Sequence, residues 1–204
     1  MRITWLGHAC FALESGGYRL VIDPYRDVPG YGVLQTSAHA VFCSHGHFDH
    51  AATECVTLLP PRPSPFAVKA LPCFHDEVSG AKRGENTIHL FESEGLRVAH
   101  LGDLGHPLSS ELLAALRECD VLLLPVGGIY TIDPAEARQV AEAVNAAVTV
   151  PMHYRRGGLG FENLAEVEDF LSLYPPQRVR RLDCAAFDPA ALPAGTVLLP
   201  AFGE

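Results

Sequence analysis

Residues 44–50 read SHGHFDH, which places His45, His47, Asp49 and His50 within six positions. A solvated surface needs no such crowding. In an extended chain residues 45, 47 and 49 point to one side, so two imidazoles and a carboxylate converge, and His50 joins them only if the backbone turns. Gly46, between the first two imidazoles, allows close backbone approach. Neutral imidazole and carboxylate suit zinc and similar divalent ions, held at about 2.0–2.2 Å.

One loop does not complete such a site, and further ligands are expected at strand ends and in loops. His75 follows the run FAVKALPCF, Asp103 follows LRVAHL, and His153 follows VTVP. With these, His45, His47, Asp49, His50, His75, Asp103 and His153 make seven candidates. A closed tetrahedral zinc site takes four, so seven suffice for two ions, with Asp103 able to bridge. Two ions roughly 3.5–4 Å apart lower the pKa of a shared water and hold both the attacking and the leaving oxygen. The chemistry expected is hydrolysis by a metal-bridged hydroxide, with Asp49 and Asp103 as the carboxylates of the catalytic centre. Zinc is the first choice of metal, and manganese or iron also accepts this ligand set.

Substrate-facing candidates lie close to these ligands in the chain. Tyr130 and Tyr154 are candidate donors to a developing oxyanion, with packing beneath the metals as the alternative for either. Arg83, Arg155 and Arg156 offer fixed positive charge for a phosphate or carboxylate, or else belong to solvated loops.

The elements that must hold these residues divide into two halves. RITWL, CFALES and YRLVID, with a Gly16-Gly17 turn, read as a meander. AVFCS is a short strand leading into the histidine cluster. AATECVTLL has the apolar spacing of a helix, and PPRPSP is a connector from it to the next strand. FAVKALPCF, NTIHLFES and LRVAHLGD are further strands. From residue 108 strands and helices alternate. SSELLAALREC, DPAEARQVAEAVNA and ENLAEVEDFLSL read as helices, and DVLLLPV and VTVPMHY as buried strands, with short strands around RVRRL and TVLLP. Asp133, Pro134 and Glu136 form a capping signature for the second helix. The order implies a layered α/β sandwich in one domain, 1–204.

Composition sets limits on partners. The 204 residues are 48% apolar with a net charge of −9, so no extended basic surface is available for a phosphate backbone and nucleic acid is not expected. No run approaches the roughly 18 apolar residues of a membrane span, and the first residues have no apolar segment of secretory length, so the expectation is a cytoplasmic protein. Six scattered cysteines without a CxxC pair read as buried thiols.

Taken together, SHGHFDH with the later His75, Asp103 and His153 resembles the HxHxDH signature of the metallo-β-lactamase fold hydrolases. WLGHACF (5–11), RGENTI (83–88), LGDLGH (101–106), PVGGIYTIDPAEA (125–137) and PMHY (151–154) resemble the subgroup that includes L-ascorbate-6-phosphate lactonase and many uncharacterised hydrolases. The resemblance implies an αββα sandwich, two mixed β-sheets packed face to face with helices outside. It implies His45, His47 and His75 on one metal, Asp49, His50 and His153 on a second, and Asp103 between. Asp23 matches the aspartate that orients the histidine loop from behind. His8 lies in the opening motif and is expected at or near the site, and His106 shares that expectation; His39, His89 and His100 match nothing and read as structural. The function implied is a dinuclear hydrolase of a small-molecule ester, lactone or phosphoester, the substrate carrying an anionic group. The alternatives are a nuclease or RNA-processing enzyme of the same fold, for which the chain has no room for a clamping arm, and a non-enzymatic metal-binding module. Diiron members usually carry a carboxylate where His47 stands, which favours hydrolysis over redox chemistry.

Overall fold

Alternating apolar residues at the start of the chain fold as the expected meander. The computed structural model describes residues 1–117 and 119–203. Strands β1 (Arg2–Gly7), β2 (Cys10–Ser15) and β3 (Tyr18–Ile22) pair antiparallel in sequence. The β2–β3 register closes at Ser15 and Tyr18, and Gly16 and Gly17 between them hold φ of 54° and 73°. A two-residue hairpin with both central φ positive needs this pair. Strand β4 (Thr36–Ala38) precedes β5 (Ala40–Phe42), which runs parallel to β3 and delivers the histidine cluster. Residues 51–59 are not the expected helix: a 3-10 turn, Thr53–Cys55, leads into β6 (Val56–Leu58), which pairs parallel with β4. The apolar spacing of so short a run fits either state, and pairing with β4 decides it.

The second half is built on β7 (Ala67–Phe74), β8 (Glu85–Ser93) and β9 (Leu96–His100), then α1 (Ser110–Leu116), β10 (Val121–Pro125), α2 (Pro134–Val144), β11 (Val148–Met152), α3 (Val167–Leu171), β12 (Val179–Arg181), β13 (Ala186–Phe187) and β14 (Thr196–Leu199). Helix α1 is capped by Ser109, and position 118 of the helical segment expected here lies outside the described residues. Helix α2 has the expected capping box: the Asp133 carboxylate accepts from Glu136 N, and the Glu136 carboxylate accepts from Asp133 N. Helix α3 is shorter than the apolar pattern implies. Ahead of it Ala165 N donates to Gly127 O and Arg155 N to Ala165 O, so tertiary bonds claim the backbone that a longer helix would use.

Two large sheets result, in the orders β13-β1-β2-β3-β5 and β12-β14-β11-β10-β9-β8-β7. Strands β9 to β12 and β14 are parallel neighbours, and every residue of β10 and β11 is buried, as a parallel sheet covered on both faces requires. Side chains of the two sheets meet across one continuous core: Phe42 packs on Phe91 at 5.1 Å between ring centres and Phe11 on His100 at 6.0 Å. Helices α1, α2 and α3 pack in series, and α2 rests on β10. This is the αββα sandwich in a form with few helices. Among the described residues no helix is long and apolar enough to cross a membrane.

Candidate metal centre

Four strands of the two sheets end along one edge, and each releases part of the candidate site. The segment after β5 carries His45, His47, Asp49 and His50; His75 follows β7, Asp103 lies three residues beyond β9, and His153 follows β11. Beyond β5 the backbone does not stay extended. It turns so that His50 N and Ala51 N both donate to His47 O at 2.9 Å. The simple picture of 45, 47 and 49 on one side is therefore replaced by a split. Ligand atoms of His45, His47 and His75 lie within 4.8 Å of one another, and those of His8, Asp49, His50 and His153 form a second group of the same tightness.

Asp103 sits between the groups. Its Oδ1 is 3.2 Å from Nε2 of His50, and its Oδ2 is 3.2 Å from Nε2 of both His75 and His153 and 3.9 Å from that of His45. Gly102 makes this placement possible. At φ 53° it brings Asp103 N to Asn86 Oδ1 at 3.0 Å, and a Cβ there would lie 2.3 Å from that same oxygen and 2.4 Å from Ser44 Cβ. Asn86 in turn donates to Leu101 O, so one side chain grips the loop from both sides. At Gly127 a Cβ would stand 2.1 Å from His153 O. His8, Asp23 and His153 themselves have φ of 51°, 48° and 53°, the left-handed region that non-glycine residues seldom occupy. Strain of this kind clusters where the surroundings dictate side-chain direction.

Ring orientation is set from behind. His50 donates through Nδ1 to Asp23 Oδ2 at 2.8 Å, His75 donates through Nδ1 to Tyr130 O at 2.9 Å, and His45 Nδ1 meets Ser44 Oγ at 2.9 Å. Each contact leaves Nε2 facing Asp103 or its neighbours. The Asp23 carboxylate also accepts from Ser44 N and Oγ, both at 2.6 Å. Such supporting hydrogen bonds fix tautomer and direction in metal-binding histidines.

Charge follows the geometry. Burial, with His153 nearby, pushes His8 down to about 4, and burial pushes His45 down to about 3, which keeps both neutral. Burial alone would raise the Asp103 carboxyl, but His153 and His50 hold it well below the usual carboxylate range, and Asp49 is held low by His8 and His50. His50 responds in the opposite sense: against burial, Asp103 and Asp23 raise it well above an ordinary imidazole. Ionised carboxylates facing imidazole nitrogens are a cation-binding set. Buried Nε2 of His8, His45 and His50, Nδ1 of His8 and His153, and Oδ1 of Asp103 have no hydrogen-bond partner. Unpartnered buried polar atoms are costly, and divalent cations would satisfy the lone pairs converging here. The residues fit the metals.

A cavity of about 610 Å³ opens over this cluster, lined by His47, Asp49, His75, Asp103 and His153 and walled by Arg26, Phe48, Arg83, Tyr130 and Phe161. Tyr130 Oη accepts from Asn163 Nδ2 at 2.7 Å, and the Arg83 guanidinium lies 5.6 Å from its ring centre while donating to Ile129 O. Four of the expected substrate residues, Tyr154, Arg155, Arg156 and His106, are not among those that line the cavity. Tyr154 is buried against Trp5, Arg155 pairs with Glu166 at 3.3 Å, and His106 is bonded to Pro107 O and Phe74 N, so none of them lines the cavity. For Tyr154 and Arg155 the left-handed turn at His153 redirects the chain, whereas His106 is held away by Phe74 N and Pro107 O. Asn86, Ser44, Arg26, Phe48 and Phe161 gave no independent signal. Of these, Asn86, Ser44 and Phe48 lie inside the motifs RGENTI and SHGHFDH, and Arg26 and Phe161 act only through contacts between segments.

A family model described as a beta-lactamase superfamily domain matches residues 2–153. A UPF0173 metal-dependent hydrolase of Methanoregula boonei is 32% identical over 186 residues, covering 76% of this chain and 82% of that protein. A crystal structure of a candidate zinc-dependent hydrolase of the metallo-β-lactamase superfamily from Thermotoga maritima is 36% identical and superposes with a TM-score of 0.76 over 99% of each chain. An isothiocyanate hydrolase from Delia radicum gut bacteria shares the fold, with a TM-score of 0.65 at 15% identity over 100% of this chain and 98% of that one. With a matching motif set, sandwich and convergent histidine–aspartate cluster, the chain belongs to the metallo-β-lactamase superfamily of metal-dependent hydrolases.

Proposed function

We propose that this protein hydrolyses a small-molecule ester, lactone or phosphoester bearing an anionic group, at a centre of two divalent cations. Zinc is the first choice and manganese or iron the alternatives. His45, His47 and His75 would hold one cation, Asp49, His50 and His153 the other, with Asp103 shared. Cations bound there would lower the pKa of a water between them toward neutrality and offset charge developing on the substrate oxygen.

The chain's own groups do the remaining work. Asp23, Ser44 and the Tyr130 carbonyl hold the ligand rings in one orientation. The Tyr130 hydroxyl accepts from Asn163, which leaves its own proton to donate to an oxyanion in the cavity. Arg83 has its guanidinium positioned by Ile129 O and the Tyr130 ring at the cavity wall, where it can pair with a carboxylate or phosphate. Phe48 and Phe161 supply apolar wall and reduce water access.

The observation that carries this reading is the pair of ligand groups, each within 4.8 Å, with Asp103 reaching both. Elemental analysis of purified protein, combined with an ester, lactone and phosphodiester panel run with and without chelator, tests it. The expected result is two equivalents of metal and activity abolished by chelation. A metal-replete sample holding a single ion, or turnover indifferent to chelator, overturns it.

A further inference from the structure

We propose that His8 is a further protein ligand of the second cation, a fifth donor once the shared Asp103 is counted, enclosing that ion while the first keeps a position open to the cavity. The inference rests on the two-cation reading above and adds a residue to it.

His8 lies in the turn between β1 and β2, with its side chain fully buried. Its backbone is held on two sides: Trp5 Nε1 donates to His8 O at 3.0 Å, and His153 N approaches the same oxygen at 3.5 Å. The ring is thereby aimed at Asp49. From Asp49 Oδ2 the Nε2 atoms of His8, His50 and His153 lie 3.4, 3.8 and 4.0 Å away. The His8 ring centre is 4.3 Å from that of His153 and 5.5 Å from that of His50. Three imidazoles thus gather around one carboxylate oxygen.

Neither ring nitrogen of His8 has a hydrogen-bond partner. At 3.4 Å the contact with Asp49 exceeds the 2.7–3.2 Å of a normal N–H···O bond. Donors at about 2.0–2.2 Å from one ion in a tetrahedron stand roughly 3.3–3.6 Å apart, close to the spacing seen here. A ligand role accounts for the burial, the aim and the unpartnered nitrogen together. His45, His47 and His75 have no equivalent fourth imidazole among the described residues, and His47 is exposed toward the cavity. With Asp103 shared, the first cation would have four protein donors and the second, with His8, five, so the first, beside the exposed His47, is the one with room for water or substrate.

Cobalt(II) titration of chelator-stripped protein tests this, followed by visible absorption and by competition with a chelator. In His8→Ala we expect one bound cobalt to weaken at least tenfold and its ligand-field bands to change, with the other ion unaffected. In His8→Cys we expect a thiolate-to-cobalt charge-transfer band. Unchanged affinity and spectrum in His8→Ala, with no such band in His8→Cys, overturns the inference. Should the variants fail to fold, the cobalt-loaded wild type decides: hyperfine-shifted ring protons assigned to His8 support ligation, and an unshifted His8 overturns it. A wild type that binds only one cobalt defeats the two-cation reading separately, because the His8 comparison is made on each ion bound.

Discussion

The Nδ1 atom of His50 and the Oδ2 atom of Asp23 lie 2.8 Å apart with both side chains fully buried, and this contact turns Nε2 of His50 to within 3.2 Å of Asp103. Burial alone would raise the Asp23 carboxyl, but His100, His50 and Ser44 hold it at about 2, so it stays an acceptor throughout the physiological range. Asp23→Asn keeps the left-handed backbone accessible, since Asn tolerates that region, but places an amide where an acceptor is needed. Loss of a hydrogen bond supporting a ligand typically costs about 10- to 100-fold in metal affinity. We expect that loss on chelator competition with the fold retained by circular dichroism; wild-type affinity would contradict the orienting role.

Removing a ligand should cost more than removing its support. His47→Ala and Asp103→Ala are expected to lower turnover of the best panel substrate by more than about 100-fold, beyond the range for supporting groups, while far-ultraviolet circular dichroism stays native. Full activity in either variant would show that the cluster is not the reacting centre.

The clustering of His45, His47, Asp49, His50, His75, Asp103 and His153 was legible because each stands just past a run that has to be buried, and strands packed in a sandwich end together along an edge. The capping box at Asp133 was legible because it is local. The segment 51–59 was not, because its apolar positions fit a helix or a strand and only the non-local pairing with β4 decides. Of the two roles open to Tyr154, donor or packing, the structure takes packing: after the positive φ of His153 it is buried against Trp5, and no residue type announces that turn. Phe161 reaches the cavity wall from more than a hundred residues beyond Arg26 and Phe48, a relationship beyond the reach of spacing.

Metal uptake should release protons. Against burial, Asp103 raises His75 and, with Asp23, raises His50 well above the ordinary imidazole value, so His50 carries a proton at neutral pH when no cation is bound. His8 and His45, pushed by burial to about 4 and about 3, are already neutral. A cation must therefore displace a proton from His50, and falling pH favours the proton there and, by the upward shift, at His75. Calorimetry at pH 7 in buffers of different ionisation enthalpy should show buffer-dependent heats, and occupancy should collapse below roughly pH 5. Heats independent of buffer would contradict this protonation pattern.

Asp76 organises the loop that carries Arg83. Its Oδ1 accepts from Val78 N and Gly80 N, and its Oδ2 from Lys82 N and Arg83 N, at 2.7–2.9 Å. Burial would raise this carboxyl, but the four amides hold it at about 2. A depressed folded-state value means that the stabilisation is present above the ordinary carboxylate value of about 3.9 and is lost as pH falls through about 2. Asp76→Asn sets an N–H donor against at least one of those amides. Hydrogen exchange at Val78, Gly80, Lys82 and Arg83 should accelerate at least about tenfold at pH 7. Unchanged exchange there would show that the loop is held by other contacts.

Arg83 itself should act on affinity rather than on chemistry. Its guanidinium donates to Ile129 O at 2.8 Å and packs against Tyr130, which positions it on the cavity wall without placing it among the candidate ligands. Arg83→Met keeps much of the side-chain length and removes the charge. A charge-assisted hydrogen bond contributes about 1.5–3 kcal/mol, equivalent to roughly 10- to 100-fold. KM for anionic members of the substrate panel should therefore rise by about that factor with kcat nearly unchanged, and neutral esters should show little difference. Equal effects on charged and neutral substrates would mean that Arg83 supports the Tyr130 loop and does not recognise an anion.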